Sequence, residues 1–280
     1  MDIKYNISKL KNSKLEEIKD AVSVEEPLEM RLKFKKNNKW HTENISITMR
    51  TPGNDEDLIK GFLFNERIVE NIKDIEIVEH IGEVSGDYNL QNIIVATINK
   101  TDNLEIGKLK RNFVTNSSCG VCGKTSLDAI QIIKADKLDP SIPRIKEKTI
   151  LKSPNLLINE QSEFAKTGGI HASALIDENG KVITIREDVG RHNALDKLIG
   201  YSISKNLINP SNQFIACSGR LNFELVQKGL MANIGVMAGV GAPTSLAIDL
   251  AKRFDMTLLG FVKENSFNIY SNKNRIILSS

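Results

Sequence analysis

The feature that most constrains the fold is a regular alternation of strand and helix patterns in the second half of the chain. Beyond Pro154, short β-branched apolar runs alternate with segments whose apolar residues recur at helical spacing. Parallel strands need such crossover helices, so the alternation predicts an α/β domain built on a mixed, largely parallel sheet. The expected elements are a helix at 155–166, a hairpin of 170–176 and 182–186, a helix at 189–203, strands at 214–217, 235–240 and 256–262, and helices at 222–232 and 243–254.

The first half of the chain has the pattern of a smaller, β-rich domain, so the chain is expected to be α+β overall. Alternating runs at 28–34 and 44–49 flank a polar turn and predict a β-hairpin. A helix capped by Asn54 or Asp55 and strands at 75–78 and 93–98 are expected to follow. The chain divides into a polar, frayed or loosely docked segment at 1–23, an α+β domain at 24–115, a cysteine loop, helix and connector at 116–153 with a short strand at 148–151, and the α/β domain at 154–280.

Composition excludes several classes of protein. The 280 residues are 40% hydrophobic and 26% charged, which is enough for real cores, and the net charge of +3 does not favour general nucleic-acid or membrane-surface binding. No stretch has the length of a membrane span or the apolar core of a signal peptide, so a cytoplasmic protein is expected. Three cysteines do not make a disulfide framework, which agrees with a reducing compartment.

Two of the three cysteines, Cys119 and Cys122, lie in the glycine-flanked loop S-S-C-G-V-C-G-K at 117–124. A packed cysteine usually sits in an apolar run, whereas these two are bounded by glycines, serines and Lys124. The next ten residues have helical apolar spacing, so the pair is expected at a helix N-terminus. The helix dipole and Lys124 would there stabilise the thiolate, which is the nucleophilic form.

Three interpretations of this C-x-x-C remain open: half of a zinc site, a disulfide redox pair, or a nucleophile that carries sulfur as a persulfide. A zinc site needs two further ligands. The remaining candidates lack paired spacing, so a complete structural metal site within one chain is not expected. They are Cys217, His41, His80, His171 and His192.

Polar and small residues follow the predicted strands of the α/β domain, where ligands bind in open sheets. The clusters occupy 187–192, 218–220, 241–245 and 263–266, and three of the four contain a basic residue. Exposed backbone N–H groups beside a basic side chain favour phosphate and nucleobase binding, although each cluster also fits an ordinary capped turn. Four such clusters at one edge predict a ligand site.

The single histidines and the third cysteine have structural interpretations. His41 and His80 lie on or beside predicted strands with no carboxylate or cysteine nearby that would suggest a site, so structural roles are expected. His171 is expected to be a strand histidine that faces the interior, with a site role as the alternative. Cys217 ends an apolar strand and is expected to be packed rather than reactive.

The order helix, hairpin, helix, strand, helix, strand, helix, strand is that of the cytidine-deaminase-like fold. Zinc deaminases place H-x-E and P-C-x-x-C at the starts of two of these helices. This chain has His192-Asn193-Ala194 and Ser218-Gly219-Arg220 at those places. The general acid/base glutamate and two thiolate ligands are absent, so hydrolytic deamination is not supported.

Six motifs together closely resemble the formate dehydrogenase accessory sulfurtransferase family, over about 24–270. They are S-S-C-G-V-C-G-K, T-G-G-I-H-A-S-A-L, R-E-D-V-G-R-H-N-A-L-D-K-L-I-G, S-G-R-x-x-x-E-L-V-Q-K, A-P-T-S-L-A and G-F-V-K-E-N-S-F-N-I-Y. The resemblance implies a cytoplasmic homodimer that receives persulfide sulfur from a cysteine desulfurase. It would pass the sulfur to the molybdenum bis(molybdopterin guanine dinucleotide) cofactor of formate dehydrogenase.

By matching motifs, the resemblance implies that Cys119 carries the persulfide, with Cys122 as a second residue that can resolve or relay it. It also implies that one stretch binds the guanine-dinucleotide cofactor: Phe261, Val262, Lys263, Glu264, Asn265 and Ser266. An alternative function is a cofactor-binding chaperone or scaffold for a molybdoenzyme, without chemistry at the cysteines. A metal-dependent relative of the deaminases is a third.

Overall fold

The computed structural model describes residues 2–84, 88–99 and 137–278. Both cysteines of the C-x-x-C loop, and the helix expected after it, lie outside these residues. Within them the chain forms fourteen strands in four sheets and six α-helices, which confirms a mixed α and β architecture. None of the helices in the described ranges has the length and apolar character needed to cross a membrane.

The N-terminal segment forms a two-stranded antiparallel hairpin of β1 (Asp2–Lys11) and β2 (Lys14–Ser23). The segment is therefore a paired hairpin and not a frayed tail. Asn12 and Ser13 both have positive φ, at 50° and 60°, which is the geometry of a two-residue hairpin turn. The base of the hairpin is held to a helix of the second half, where Ser23 Oγ lies 2.6 Å from Thr167 Oγ1.

The first domain is a four-stranded sheet in the order β4-β3-β6-β5 with one helix on its inner face. Its elements are β3 (Glu26–Lys36), β4 (Lys39–Arg50), α1 (Asp55–Asn65), β5 (Ile75–Ile81) and β6 (Ile93–Ile98). All were expected from the sequence; β3, β4 and β5 are longer than predicted, and β6 has the predicted bounds. Alternate side chains of β3, including Leu28, Leu32 and Phe34, pack against Leu58 and Leu63 of α1.

The second domain is centred on a six-stranded sheet in the order β13-β12-β11-β10-β8-β9. The strands are β8 (His171–Asp177), β9 (Val182–Asp188), β10 (Gln213–Cys217), β11 (Val236–Gly239), β12 (Thr257–Gly260) and β13 (Asn268–Ser271). β10, β11 and β12 are parallel, and β8 pairs antiparallel with β10. The predicted hairpin and the predicted parallel strands are thus confirmed within a mixed sheet.

Helices cover both faces of this sheet. One face packs against α4 (Arg191–Ser204), α5 (Phe223–Met231) and α6 (Ser245–Arg253), as predicted. The other face packs against α2 (Glu147–Glu160), while α3 (Ser162–Thr167) follows α2 directly. A small parallel pair, β7 (Ile145–Lys146) and β14 (Ile276–Ile277), completes the fold.

The start of α2 corrects the connector prediction. A helix begins at Glu147, where a short strand at 148–151 was expected, and Pro154 lies inside it. Proline removes one backbone donor and usually marks a boundary, which is why the sequence placed the helix start after it. Ile150 and Leu157 are almost fully buried on the same side of the sheet, so tertiary packing supports the helix on both sides of the proline.

The two domains meet where α1 crosses α4 through paired glycines. A methyl group built at Gly61 would lie 1.9 Å from the carbonyl oxygen of Asp196, and one at Gly200 would lie 2.0 Å from that of Asp57. Buried polar contacts flank the crossing, because Asn65 Nδ2 donates to Asp196 Oδ1 at 2.6 Å. The absence of side chains at both glycines is what lets the helix backbones touch.

Candidate functional site

The carboxyl edge of the large sheet brings the predicted clusters together. Backbone bonds link them in series: Gly241 N–H donates to the carbonyl of Gly219, and Phe261 N–H donates to that of Gly241, each at 3.2 Å. His171 begins the antiparallel β8 at this same edge and pairs with Asp188, which ends β9. The edge therefore places the four clusters and His171 side by side.

A cavity of about 460 Å³ opens between this edge and the helices α2 and α3. That volume is within the usual range of small-molecule pockets. Its lining is mostly apolar, with polar groups confined to the sheet edge and one glutamine. The lining residues are Pro154, Leu157, Ile158, Gln161, Phe164, Gly168, Gly169, Ile170, His171, Ser218 and Val240.

His171 lines the cavity, so the expectation that it faces the interior is wrong. The ring is half-buried, and burial, followed by the positive charges of Arg191 and His192, lowers the pKa of His171 below its ordinary value. A neutral imidazole with one donor and one acceptor nitrogen therefore faces the cavity at neutral pH. Its Nδ1 lies 3.5 Å from Ser218 Oγ, which accepts a bond from the Ala172 N–H at 2.9 Å.

Gly219 fixes the position of that ring. A methyl group at Gly219 would lie 3.2 Å from His171 Nδ1 and 3.3 Å from its Cε1, so the glycine backbone packs directly against the imidazole. The sequence placed Gly219 in one of the four predicted ligand clusters but did not indicate its contact with His171. The long-range pairing of β8 with β10 is what brings it to His171.

Gln161 supplies a further polar group to the cavity wall. The residue is only 3% exposed, and its Nε2 has no hydrogen-bond partner among the described residues. A buried amide donor without a partner is costly, by about 1–3 kcal/mol. No motif marked this residue, because Gln161 lies in the break between α2 and α3 rather than after a strand.

The stretch 261–266 forms the loop after β12. Phe261 has a φ of +52° and is 44% exposed, a strained arrangement for a non-glycine residue that is typical of functional positions. Lys263 N–H donates to the carbonyl of Ser266 at 2.8 Å. Asn155 Nδ2 of α2 donates to Glu264 Oε1 at 2.8 Å, so the loop is tied to the helix that forms the cavity wall.

A polar cluster on the other face of the sheet was missed by the sequence reasoning. His192 Nε2 lies 2.9 Å from Glu224 Oε2 and 3.0 Å from Asn222 Nδ2, at the starts of α4 and α5. Asn222 also caps α5 by accepting the Leu225 N–H. The signal available in the sequence was the helix start at Asn222, which predicts a cap and gives no indication of the histidine.

Within the described residues, no group of three or more His, Cys, Asp or Glu side chains could hold a metal ion. Cys217 is 3% exposed, and burial raises its pKa to about 11, so it is a packed thiol as predicted. Cys119 and Cys122 lie outside the described residues. Their roles, and that of 261–266 in binding, stay predictions.

His80 lies in a second cavity, of about 330 Å³, at the N-terminus of α1. Its Nε2 is 3.6 Å from Asp55 Oδ2, which also pairs with the buried Arg50 at 3.0 Å. The expectation that His80 has no carboxylate nearby is wrong, because the turn before α1 brings Asp55 against β5. His41 stacks on Phe34 with ring centroids 5.8 Å apart, which fits its expected structural role.

Comparison with known proteins decides the family. The model of the FdhD/NarQ family matches residues 24–277. The chain belongs to the FdhD/NarQ family. This membership confirms the resemblance found in the sequence motifs, and only the N-terminal hairpin and the last three residues fall outside the matched range.

Curated members of the FdhD/NarQ family align over almost the whole chain. The sulfur carrier protein FdhD of Saccharolobus solfataricus is 38% identical over 98% of this chain and 97% of its own length. That of Picrophilus torridus is 42% identical over 93% of each chain. A crystal structure from Desulfotalea psychrophila, described as a candidate formate dehydrogenase accessory protein, has a TM-score of 0.72 at 20% identity and covers 99% of both chains, which shows a shared fold.

Proposed function

We propose that this member of the FdhD/NarQ family is a sulfurtransferase. It takes sulfur from a cysteine desulfurase as a persulfide on Cys119 and passes it to the molybdenum bis(molybdopterin guanine dinucleotide) cofactor, which formate dehydrogenase requires. Support comes from the family and from relatives that are named sulfur carrier proteins. Further support comes from the C-x-x-C loop, whose flanks favour a thiolate.

The observation that carries the proposal is the cavity at the sheet edge, coupled to the 261–266 loop. Pterin and guanine rings have two apolar faces and a polar rim, so they suit apolar walls with a few fixed polar groups. The cavity offers apolar side chains from α2, the neutral His171 and the donor-rich Gln161. The 261–266 loop, which Glu264 ties to α2, offers the charge of Lys263 for phosphate and the exposed ring of Phe261 for stacking.

The first transfer step follows from thiolate chemistry. Cys119 Sγ attacks the terminal sulfur of the donor persulfide, a new S–S bond forms, and the donor's S–S bond breaks. The donor cysteine leaves as a thiolate with the electron pair of the broken bond. In the second step the terminal sulfur passes to the cofactor and Cys119 returns to a thiolate, so the acceptor supplies two electrons. Cys122 can resolve or relay the persulfide.

Two finer statements about the molecule belong to the same proposal. The order of elements in the second domain, with three parallel strands beside an antiparallel hairpin, supports a cytidine-deaminase-like fold. The family resemblance supports a homodimer that works in the cytoplasm.

The proposal is tested in cells that lack their own carrier but contain a formate dehydrogenase. Cys119→Ala should abolish dehydrogenase activity, whereas Cys217→Ala, at a packed thiol, should retain it. Retention of activity by Cys119→Ala at normal protein levels would favour the chaperone or scaffold function and would contradict sulfur transfer.

Binding at the sheet edge is tested separately with guanosine diphosphate, which carries the guanine and phosphate groups of the proposed substrate. We expect Phe261→Ser and Lys263→Ala each to weaken binding in calorimetry by about tenfold, in line with the loss of one stacking or charged contact. Lys252→Ala, on the exposed side of α6, is the matched control. Equal affinities of all three variants for guanosine diphosphate would mean that the nucleotide does not bind at the 261–266 loop.

A further inference from the structure

Gln161 carries a side-chain amide that the fold itself does not use. Its backbone is engaged on both sides, since its N–H donates to the Leu157 carbonyl and its carbonyl accepts from the Ala165 N–H, each at 3.0 Å. The residue is 3% exposed, yet neither end of its side-chain amide has a hydrogen-bond partner within the described parts of the chain. Almost all buried polar groups in native proteins are hydrogen-bonded, so this amide is available to a ligand.

The cavity that Gln161 lines suits a flat and uncharged group. None of the described lining residues is Asp, Glu, Lys or Arg, so a phosphate inside the cavity would have no opposite charge. Apolar side chains line the cavity from α2 and α3 on one side and from the edge of the large sheet on the other. They are Leu157, Ile158 and Phe164 from the helices, and Ile170 and Val240 from the sheet edge. A planar ring between them would have both of its faces covered.

The other two polar side chains of the lining already have a contact with each other. Ser218 Oγ accepts the Ala172 N–H at 2.9 Å and lies 3.5 Å from His171 Nδ1. Gln161 differs from both, because its whole amide is without a partner in the described residues. The unmet hydrogen-bonding capacity of the cavity is therefore concentrated at Gln161.

The chemistry of a carboxamide defines the matching group. It has a carbonyl acceptor beside an NH₂ donor, and rotation about its last side-chain bond exchanges the two. Its complement is a ring amide, in which a C=O and an N–H are neighbours. The 2-aminopyrimidinone ring, which guanine and pterin share, has this edge together with two apolar faces.

We propose that Gln161 recognises the ring amide of a 2-aminopyrimidinone, from either guanine or pterin, that lies between α2–α3 and the sheet edge. This inference rests on the proposed function, which supplies a cofactor with both rings, and it adds the residue that recognises the ring. The Gln161 amide donates to the ring C=O and accepts from the adjacent ring N–H. The phosphates of the cofactor remain outside the cavity, whose described lining offers them no charge.

Two phosphate-free probes, pterin and guanosine, test the assignment by calorimetry. Gln161→Met keeps the approximate size of the side chain and removes both ends of the amide, so it should weaken binding of the tighter probe at least about tenfold. The analogue of that probe without the oxo group, 2-aminopteridine or 2-aminopurine riboside, should bind the wild type more weakly by a similar factor. The tighter probe identifies which ring the cavity takes. Equal affinities of wild type and Gln161→Met, or no binding of either probe to the wild type, would overturn the proposal.

The melting temperature separates recognition from a structural role. Replacing a buried amide that has no partner should stabilise the free protein, so Gln161→Met should raise the melting temperature by about 2 °C or more. A melting temperature at or below that of the wild type would mean that the amide is already satisfied, and would refute its assignment to a ligand.

Ser202→Ala is the matched control for probe binding. Ser202 Oγ is also buried and without a partner in the described chain, but Ser202 lies in α4 and does not line the cavity. This variant should bind both probes as the wild type does. A loss of affinity as large as that of Gln161→Met would mean that the effect does not come from contact with the ring.

The outcomes also separate this inference from the proposed function. A persulfide on Cys119 together with unchanged ring binding by Gln161→Met would support sulfur transfer and reject Gln161 as the recognising residue. Ring binding that depends on Gln161, without any persulfide on Cys119, would support the recognition and reject the sulfur transfer.

Discussion

Replacing Gly200 by alanine tests how the two domains are joined. The new methyl group would lie 2.0 Å from the Asp57 carbonyl oxygen and 2.6 Å from the Gly61 nitrogen. Both are backbone atoms of α1, so no side chain can turn away. To reach a van der Waals separation of about 3.5 Å, the helices must move apart by roughly 1.5 Å.

The loss in the free energy of unfolding follows from the contacts that this separation of the helices breaks. The 2.6 Å bond from Asn65 to Asp196 would be stretched beyond hydrogen-bonding distance, and a buried polar group left unpaired costs about 1–3 kcal/mol. Overpacking strain adds about 1–3 kcal/mol, and alanine returns about 1 kcal/mol through its helix propensity. We therefore expect a net loss of about 1–5 kcal/mol, centred near 3 kcal/mol, in the free energy of unfolding.

The assay is urea unfolding followed by circular dichroism, with thermal unfolding as a second readout. At about 2–4 °C per kcal/mol for a domain of 150–250 residues, a loss of 3 kcal/mol lowers the melting temperature by about 6–12 °C. Gly229→Ala in α5 is the matched control, because its methyl group meets only side-chain atoms of two flexible methionines, Met237 and Met256, and no backbone. If Gly200→Ala costs no more than Gly229→Ala, the glycine crossing does not join the domains as argued.

Three further predictions follow from buried groups. Lys197 Nζ lies 2.7 Å from the buried carboxylate of Asp188, and burial raises the pKa of that carboxyl. Lys197→Met removes this partner, so the free energy of unfolding should fall by about 3–5 kcal/mol in urea titrations. A loss under about 1 kcal/mol would contradict this. The His171 ring should titrate below its ordinary pKa when followed by NMR. The unfolded chain then binds a proton at this histidine more readily than the folded chain does, so the free energy of unfolding should fall as pH drops through about 6.5. A raised pKa of His171 would contradict the assignment. With the other two cysteines replaced by alanine, Cys217 should resist iodoacetamide in the native protein and react in urea, and rapid native labelling would show that it is not packed.

The elements of the second domain were predictable because each has its own periodicity. Strand β10 is a short apolar run, and α5 begins at a capping asparagine, so local chemistry identified both. The start of α2 was missed because Pro154 dominated the local pattern, while burial of Ile150 and Leu157 decided the outcome. Propensity is a weak guide where tertiary packing acts on both sides of a proline.

The N-terminal hairpin was missed for a different reason. Its strands do alternate, since Ile7 faces Ile18 and Ile3 faces Val22 across the pair. The lysine and glutamate content of the segment suggested a solvated tail, although an exposed two-stranded ribbon has that same composition. Only the pairing partner distinguishes the two, and pairing is not a local property.

The site was predictable as an edge of the sheet and not as a cavity. Turn residues after parallel strands must meet at one edge, so the sequence predicted correctly that the clusters lie together, while ligand binding there stays a prediction. His171 and Gln161 reach the cavity only because β8 runs antiparallel to β10 and α2 lies over their ends. Contacts of that kind depend on sheet order, which no single stretch of sequence specifies.

The most direct test of the account is intact-protein mass spectrometry after incubation with a cysteine desulfurase and cysteine. Wild-type protein should gain one sulfur atom, about 32 Da, that is removed by a thiol reductant, and Cys119→Ala should gain none. Cys122→Ala should still gain the sulfur if it serves only to resolve or relay. Absence of any sulfur adduct on the wild type, with a desulfurase shown to be active, would contradict sulfur transfer.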